Sequence, residues 1–244
     1  MNIGIIGSGN IGAMLARKLT AAGHNIKLAN SRGPDSIMEL AHEVGAKAVT
    51  SLEAVTLVDV IILSIPTNKF PGLQPLLRQV PDDVVIIDTS NYYPFRDGTI
   101  IEIEQGKTES VWVAEQIGRP VIKAWNVVLA ATLAETNIPS DTAERIALPV
   151  AGDGSTAKSI ALDLVRDTGF NAVDAGSIEG SWRQQPGTPA YCTELTTEEL
   201  KTALKNANKL QAPIIRDALI NEYMSAGSQL THGHMVARNR TATA

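Results

Sequence analysis

Glycines at positions 7, 9 and 12 narrow the possibilities for this chain more than any other feature, because of what stands on either side of them. Ile3, Ile5 and Ile6 form a short β-branched run suited to a buried parallel strand. After Gly9 the apolar period lengthens. Ile11, Leu15 and Leu19 recur every fourth residue, one face of a helix, with Arg17 and Lys18 turned away. A G-x-G-x-x-G run between a strand and a helix has a physical reading. Gly7 permits a tight turn, Gly9 lets backbone approach a pyrophosphate with no Cβ in the way, and Gly12 lets the helix lie against the strand. The helix N-terminus then offers free N–H groups and the positive end of its dipole to phosphate.

The alternation continues along the chain. Gly23 closes the first helix, and Ile26–Asn30 reads as a second strand. A second helix follows, with Pro34 in its first turn, Ser36 and Glu39 spaced as a capping box, and Gly45 as its stop. Lys47–Thr50 reads as a strand and Ser51–Leu57 as a short helix. Asp59–Ile65 and Val84–Asp88 are strongly apolar strands, separated by a helical stretch that Pro71 and Pro75 interrupt. Thr108–Ile117 reads as a helix and Val121–Trp125 as a sixth strand. Ile146–Ala151, Ser155–Asp167 and Phe170–Asp174 repeat strand, helix, strand. This order predicts an α/β fold, a doubly wound parallel sheet with helices on both faces. Beyond Gly176 the chain is loop-like to Thr193. A helix then opens at Thr196 with Glu199, another opens at Pro213, and the tail from Thr231 is expected to be poorly ordered.

Composition bounds the partners. With 44% hydrophobic residues and a net charge of −5, the chain offers no footprint for nucleic acid or an anionic membrane surface. No apolar run suits a membrane span and no targeting segment is visible. Cys192 is the single cysteine, so there is no intrachain disulfide, and a reducing cytoplasmic setting is expected. His232 and His234 have no evident co-ligands, and no metal site is expected.

The end of the second strand selects the nucleotide. An NAD site would place Asp or Glu there for the ribose hydroxyls, whereas this chain reads Asn30-Ser31-Arg32. A hydroxyl and a guanidinium suit a 2′-phosphate, so NADP is expected over NAD. Ligands of open α/β sheets sit outside the carboxyl ends of strands, which points to Ser64-Ile65-Pro66 and Thr89-Ser90-Asn91. Ile65 and Pro66 are expected against the nicotinamide side.

These motifs resemble the F420-dependent NADP oxidoreductases. The likeness rests on residues 7–12, on Asn30-Ser31-Arg32, and on Val121-Ile122-Lys123-Ala124-Trp125-Asn126. Pro149-Val150-Ala151-Gly152-Asp153 and Val173-Asp174-Ala175-Gly176 complete it. The resemblance implies a Rossmann-type core with a small helical C-terminal part, often dimeric, so a homodimer is expected. Residues 1–126 would form the NADP-binding domain, and residues 127–244 a smaller part that extends the sheet and ends in helices. It further implies that Ser8, Gly9, Asn10 and Ile11 cradle the pyrophosphate. Ser31 and Arg32 would hold the 2′-phosphate, and Asn126 and Val128 would border the nicotinamide. Ser181–Cys192 departs from the family pattern.

The implied activity is hydride transfer between NADP(H) and a flavin-like or deazaflavin (F420-type) acceptor. Such transfer needs alignment more than acid–base groups. Two alternatives stand beside it: reduction of a small carbonyl or imine, and a module that senses NADP(H) without turnover. Carbonyl reduction wants a positioned acid, for which Lys123 is the candidate, on one strand face with Trp125; a salt-bridged lysine is the plainer reading. Trp125, Trp182, Pro186 and Tyr191 are candidate walls of an acceptor pocket, the last three on a loop that could act as a lid or a dimer contact.

Overall fold

The computed structural model describes residues 1–135, 145–227 and 230–244. Its amino-terminal half alternates as the apolar periods predict. β1 (Asn2–Ile6) leads into α1 (Asn10–Ala21), β2 (Asn25–Ala29), α2 (Met38–Val44), β3 (Lys47–Ala48) and α3 (Ser51–Ala54). β4 (Val60–Leu63), α4 (Gln74–Leu77), β5 (Val85–Asp88), α5 (Pro94–Asp97), α6 (Ile101–Glu104), α7 (Glu109–Ile117) and β6 (Ile122–Lys123) follow. The six strands form one parallel sheet in the order β3-β2-β1-β4-β5-β6. The order reverses between β1 and β4, where an open sheet leaves a crevice at its carboxyl edge.

Side-chain alternation explains why both faces are covered. On β4, Val60 and Ile62 join the cluster under α1 and α2, while Ile61 and Leu63 join the cluster on the other face with Trp112, Val113 and Ile117 of α7. All four strand residues are fully buried. Each contributes about 1.5–3 kcal/mol against exposure to water. That drive outweighs the modest helix propensity of such β-branched runs.

The remaining chain runs α8 (Ala130–Glu135), β7 (Ala147–Val150), α9 (Ser155–Asp167), β8 (Asn171–Asp174), α10 (Thr197–Asn206), α11 (Ala212–Ala226) and α12 (His232–Thr243). β7 and β8 pair in parallel as a separate two-stranded sheet. The expected extension of the main sheet therefore takes the form of a single antiparallel bridge between Lys123 and Ala151.

Three local expectations need correction. Ser36 and Glu39 form no capping box. A 3-10 turn spans Pro34–Ile37, and the Ser36 hydroxyl bonds Gly33 O (2.8 Å) within the preceding loop. The sixth strand stops at Lys123, because Trp125 adopts a left-handed φ of 57°. The tail from Thr231 is helix α12, held by contacts invisible to local sequence. Arg240 donates to Thr193 O and Glu194 O, Arg238 pairs with Glu222, and His232 meets Glu194 and Thr132. The capping box at Thr196 and Glu199 forms as expected.

Candidate functional site

The carboxyl ends of β1, β2 and β4 open onto a crevice of about 710 Å³. Gly7, with φ at 116°, makes the turn out of β1, and a Cβ there would stand 2.0 Å from Ser64 O. Gly12 is equally constrained, since its Cβ would fall 2.0 Å from Gly7 O. At Gly9 a Cβ would meet nothing within 4 Å; the backbone there faces open space. Asn10, Ile11 and Gly12 begin α1 behind this loop. Its cap makes no side-chain hydrogen bond and its first turn carries no acid. An exposed helix start of this kind can hold an anion.

The second wall is the loop after β2. Asn30 braces it, accepting from Arg32 N (3.0 Å) and donating to Ser36 Oγ (2.9 Å). Ser31 and Arg32 line the crevice, and across from β2 so do Ile65, Pro66 and Lys69. Among the described residues the Arg32 guanidinium and the Lys69 ammonium have no ion-pair partner. No carboxylate lines the crevice. Lys69 escaped the sequence reading. Its only signal was a position just past the end of β4.

At the carboxyl ends of β5 and β6 lies a hydrogen-bonded cluster in which Asn126 and Gln184 are buried. Asn91 Nδ2 donates to Asn126 O (2.8 Å), and Asn126 Nδ2 donates to Asn91 Oδ1 (2.9 Å) and Gln184 O (2.7 Å). Gln184 Nε2 returns a bond to Asn126 Oδ1 (2.9 Å). Tyr191 OH lies 3.4 Å from Asn91 Nδ2 and 2.5 Å from Tyr93 OH. Burial raises the pKa of both tyrosines, so their hydroxyls stay protonated. Cys192 is likewise pushed up to about 12 by burial, which leaves a neutral thiol.

Beneath this cluster lies a buried ionic network. Lys123 and Asp88 have no exposed side-chain area and pair at 3.0 Å. Lys123 Nζ also donates to Ser90 O (2.5 Å), and Ser110 Oγ donates to Asp88 Oδ2 (2.7 Å). Lys123 thus fixes the turn that carries Asn91. Its side chain is fully buried and does not line the crevice, which corrects its candidacy as an acid. Glu109, nearby, is pushed up to about 7 by burial, an effect opposed by the charge of Lys123 and a bond from Tyr92 N.

The four proposed pocket residues do not come together. Trp125 is 1% exposed and its Nε1 donates to Thr168 Oγ1 (3.0 Å), so it belongs to the core. The left-handed turn after β6 directs the indole inward. Val128 lies in the same cluster. Trp182 lines a small pocket of about 40 Å³ and lies under Arg183, 4.4 Å from its ring centre. Tyr191 lines a different cavity, and Pro186 borders both.

A family model described as NADP oxidoreductase, coenzyme F420-dependent, matches residues 2–92. The protein YjhV of Escherichia coli K12 is 36% identical over 104 residues, which span 43% of this chain and 76% of YjhV. The chain belongs to this oxidoreductase family. It is an NADP-dependent oxidoreductase. The crystal structure of the hypothetical protein SMa0349 from Sinorhizobium meliloti superposes with a TM-score of 0.68 at 31% identity, covering 81% of this chain and 96% of that one. A candidate F420-dependent NADP reductase from Arthrobacter sp. FB24 shares the fold at a TM-score of 0.60 and 15% identity, over 72% of this chain and 85% of that one. Among the described residues no helix is long and apolar enough to cross a membrane, and no cluster of metal-ligating side chains occurs.

Proposed function

We propose that this oxidoreductase holds NADP(H) along the crevice and exchanges a hydride with an organic acceptor at the carboxyl ends of β4, β5 and β6. The carrying observation is the crevice's charge: two cations, Arg32 and Lys69, with no ion-pair partner among the described residues and no carboxylate in the crevice lining. A 2′-phosphate is stabilised there by charge-assisted bonds, and an NAD-type acid is missing from the end of β2. In this reading the backbone of Ser8, Gly9, Asn10 and Ile11 receives the pyrophosphate. Ser31, Arg32 and Lys69 hold the 2′-phosphate. Ile65 and Pro66 pack on the nicotinamide, while Asn91 and Asn126 border it.

The nicotinamide supplies the hydride when bound; the chain aligns it and keeps water away. The family's description supports an F420-type or flavin-like acceptor. A small carbonyl or imine is the second reading, favoured by the Tyr93–Tyr191 hydroxyl pair beside Asn91, which can supply the proton that reduction of such a bond requires. Calorimetric titration of the purified protein with NADPH and with NADH tests the cofactor reading. Tighter binding of NADPH is expected, and equal affinity would remove it. Cytoplasmic location and a homodimer remain part of the proposal.

A further inference from the structure

A half-open pocket of about 180 Å³ lies where the 186–192 loop meets α11 and α12. Leu129, Leu219, Ile220 and Met235 supply its apolar wall, and Arg216 is the one charged residue of its lining. We propose that this pocket is a binding site for an organic monocarboxylate, with the apolar body of the ligand on those four side chains and its carboxylate on the Arg216 guanidinium. The pocket shares no lining residue with the crevice, so the inference stands apart from the cofactor reading and assigns the ligand no part in hydride transfer.

The Arg216 side chain is only 5% exposed. Taking a guanidinium out of water is costly, and the cost is recovered only through close ion pairs and hydrogen bonds. Arg216 makes few of them. Its Nε donates to Asp217 Oδ1 (2.7 Å). Its Nη2 is buried and has no hydrogen-bond partner. Glu104 Oε1 stands 3.6 Å from Nη2, within ion-pair range and too far for a hydrogen bond. One face of the guanidinium lies over the Tyr92 ring, 5.3 Å from its centre. Asp217 and Glu104 are 56% and 37% exposed and neither lines the pocket, so solvent screens the charge they offer. Among the described residues no acceptor is hydrogen-bonded to the Nη pair, the edge with which arginine grips a carboxylate through parallel bonds.

The rest of the lining adds no competing charge. No carboxylate belongs to it. Burial raises the pKa of Tyr93, Tyr191 and Tyr223, so all three phenols stay protonated, and Cys192 stays a neutral thiol. The other polar groups are already engaged. Tyr223 OH and Asn239 Nδ2 both donate to Met235 O (3.4 and 2.7 Å), and the Tyr93 and Tyr191 hydroxyls bond each other at 2.5 Å. Arg216 is therefore the strongest unfilled donor of the wall. One cation without an acid fits one negative charge. A dianion would leave its second charge unpaired among apolar side chains, and a neutral ligand would leave Nη2 without a charged acceptor.

Calorimetric titration of the full chain with three probes tests the site: hexanoate, its neutral counterpart hexanamide, and acetate, which lacks the apolar body. Hexanoate is expected to bind about tenfold or more tightly than either of the others. Arg216→Lys keeps the charge and removes the fork; it should weaken hexanoate about tenfold while hexanamide stays within about twofold. Arg32→Ala locates the site without touching the pocket, and hexanoate affinity should stay within about twofold in that variant. Binding of hexanoate no tighter than that of hexanamide or of acetate overturns the proposal, as does the absence of saturable heat from hexanoate up to about 20 mM. Unchanged hexanoate affinity in a folded Arg216→Lys also overturns it, and shows an arginine that serves only its pairs with Asp217 and Glu104. Loss of hexanoate binding in Arg32→Ala would place the anion in the crevice instead. If Arg216→Lys fails to fold, the probe series and Arg32→Ala decide the matter.

Discussion

The crevice at β1, β2 and β4 and the pocket beside α11 and α12 differ in construction. The crevice carries two cations, Arg32 and Lys69, and no carboxylate, and its lining falls between Ile6 and Leu73. The pocket is lined mainly by apolar and tyrosine side chains together with Arg216, and its walls come from five segments of chain spread from Tyr93 to Asn239. The difference follows from what each is suited to hold. A phosphate-rich ligand keeps much of its hydration and is best met by N–H groups and side-chain cations at a rim. At the ends of β5 and β6 Asn91, Asn126 and Gln184 form a hydrogen-bonded cluster, and the buried Lys123–Asp88 pair holds the adjoining turn through Ser90 O.

The comparison breaks most severely if that pair is cut. Lys123→Met leaves Asp88 buried without a counter-charge, which costs about 3–5 kcal/mol. Chemical denaturation should show this loss, and Lys123→Met with Asp88→Asn should recover part of it. A variant as stable as the parent would mean the pair is not what holds the turn carrying Asn91.

Glu109 provides the next largest effect, and its sign is definite. Burial raises its folded pKa to about 7 from an ordinary value of 4.5. Its contribution to stability is thus fully present below about pH 4.5 and is lost as pH rises to about 7, a change on the order of 3 kcal/mol. Thermal melts of Glu109→Gln should lack that decline. An identical pH profile in the variant would show that Glu109 titrates normally.

Smaller effects sharpen the crevice side. Arg32→Ala should weaken NADPH by about 1.5–3 kcal/mol, roughly tenfold or more, and leave NADH within about twofold. Lys69→Ala should act in the same direction less strongly, because a lysine makes a point contact where an arginine makes a fork. Equal losses for both cofactors would move these cations to the pyrophosphate. Least of all, Thr196→Ala should cost about 1 kcal/mol by removing the cap of α10, with NADPH affinity unchanged.

Legibility followed sequence separation. The glycine loop could be read because turn, strand and helix are consecutive, and the steric demands at Gly7 and Gly12 involve β1, α1 and the end of β4. Alternating apolar runs also revealed the parallel strands. The tyrosine pair spans 98 positions and the Asn126–Gln184 contact spans 58, so no local pattern could announce either. Helix α12 was missed for the same reason, since its apolar stripe is weak and its stability lies in ion pairs and carbonyl contacts to other elements. Trp125 was assigned to the wrong environment because an extended strand was assumed to continue through a residue with positive φ.

By itself the sequence determined the α/β alternation, the glycine turn and the absence of an acid after β2, because these depend on neighbours within a few residues. Tertiary structure alone decided that Lys123 lies buried, that Lys69 and Arg32 line one crevice, and that three tyrosines line one pocket. The physical reason is that burial, charge pairing and enclosed volume are properties of surfaces brought together by folding, and no single segment carries them.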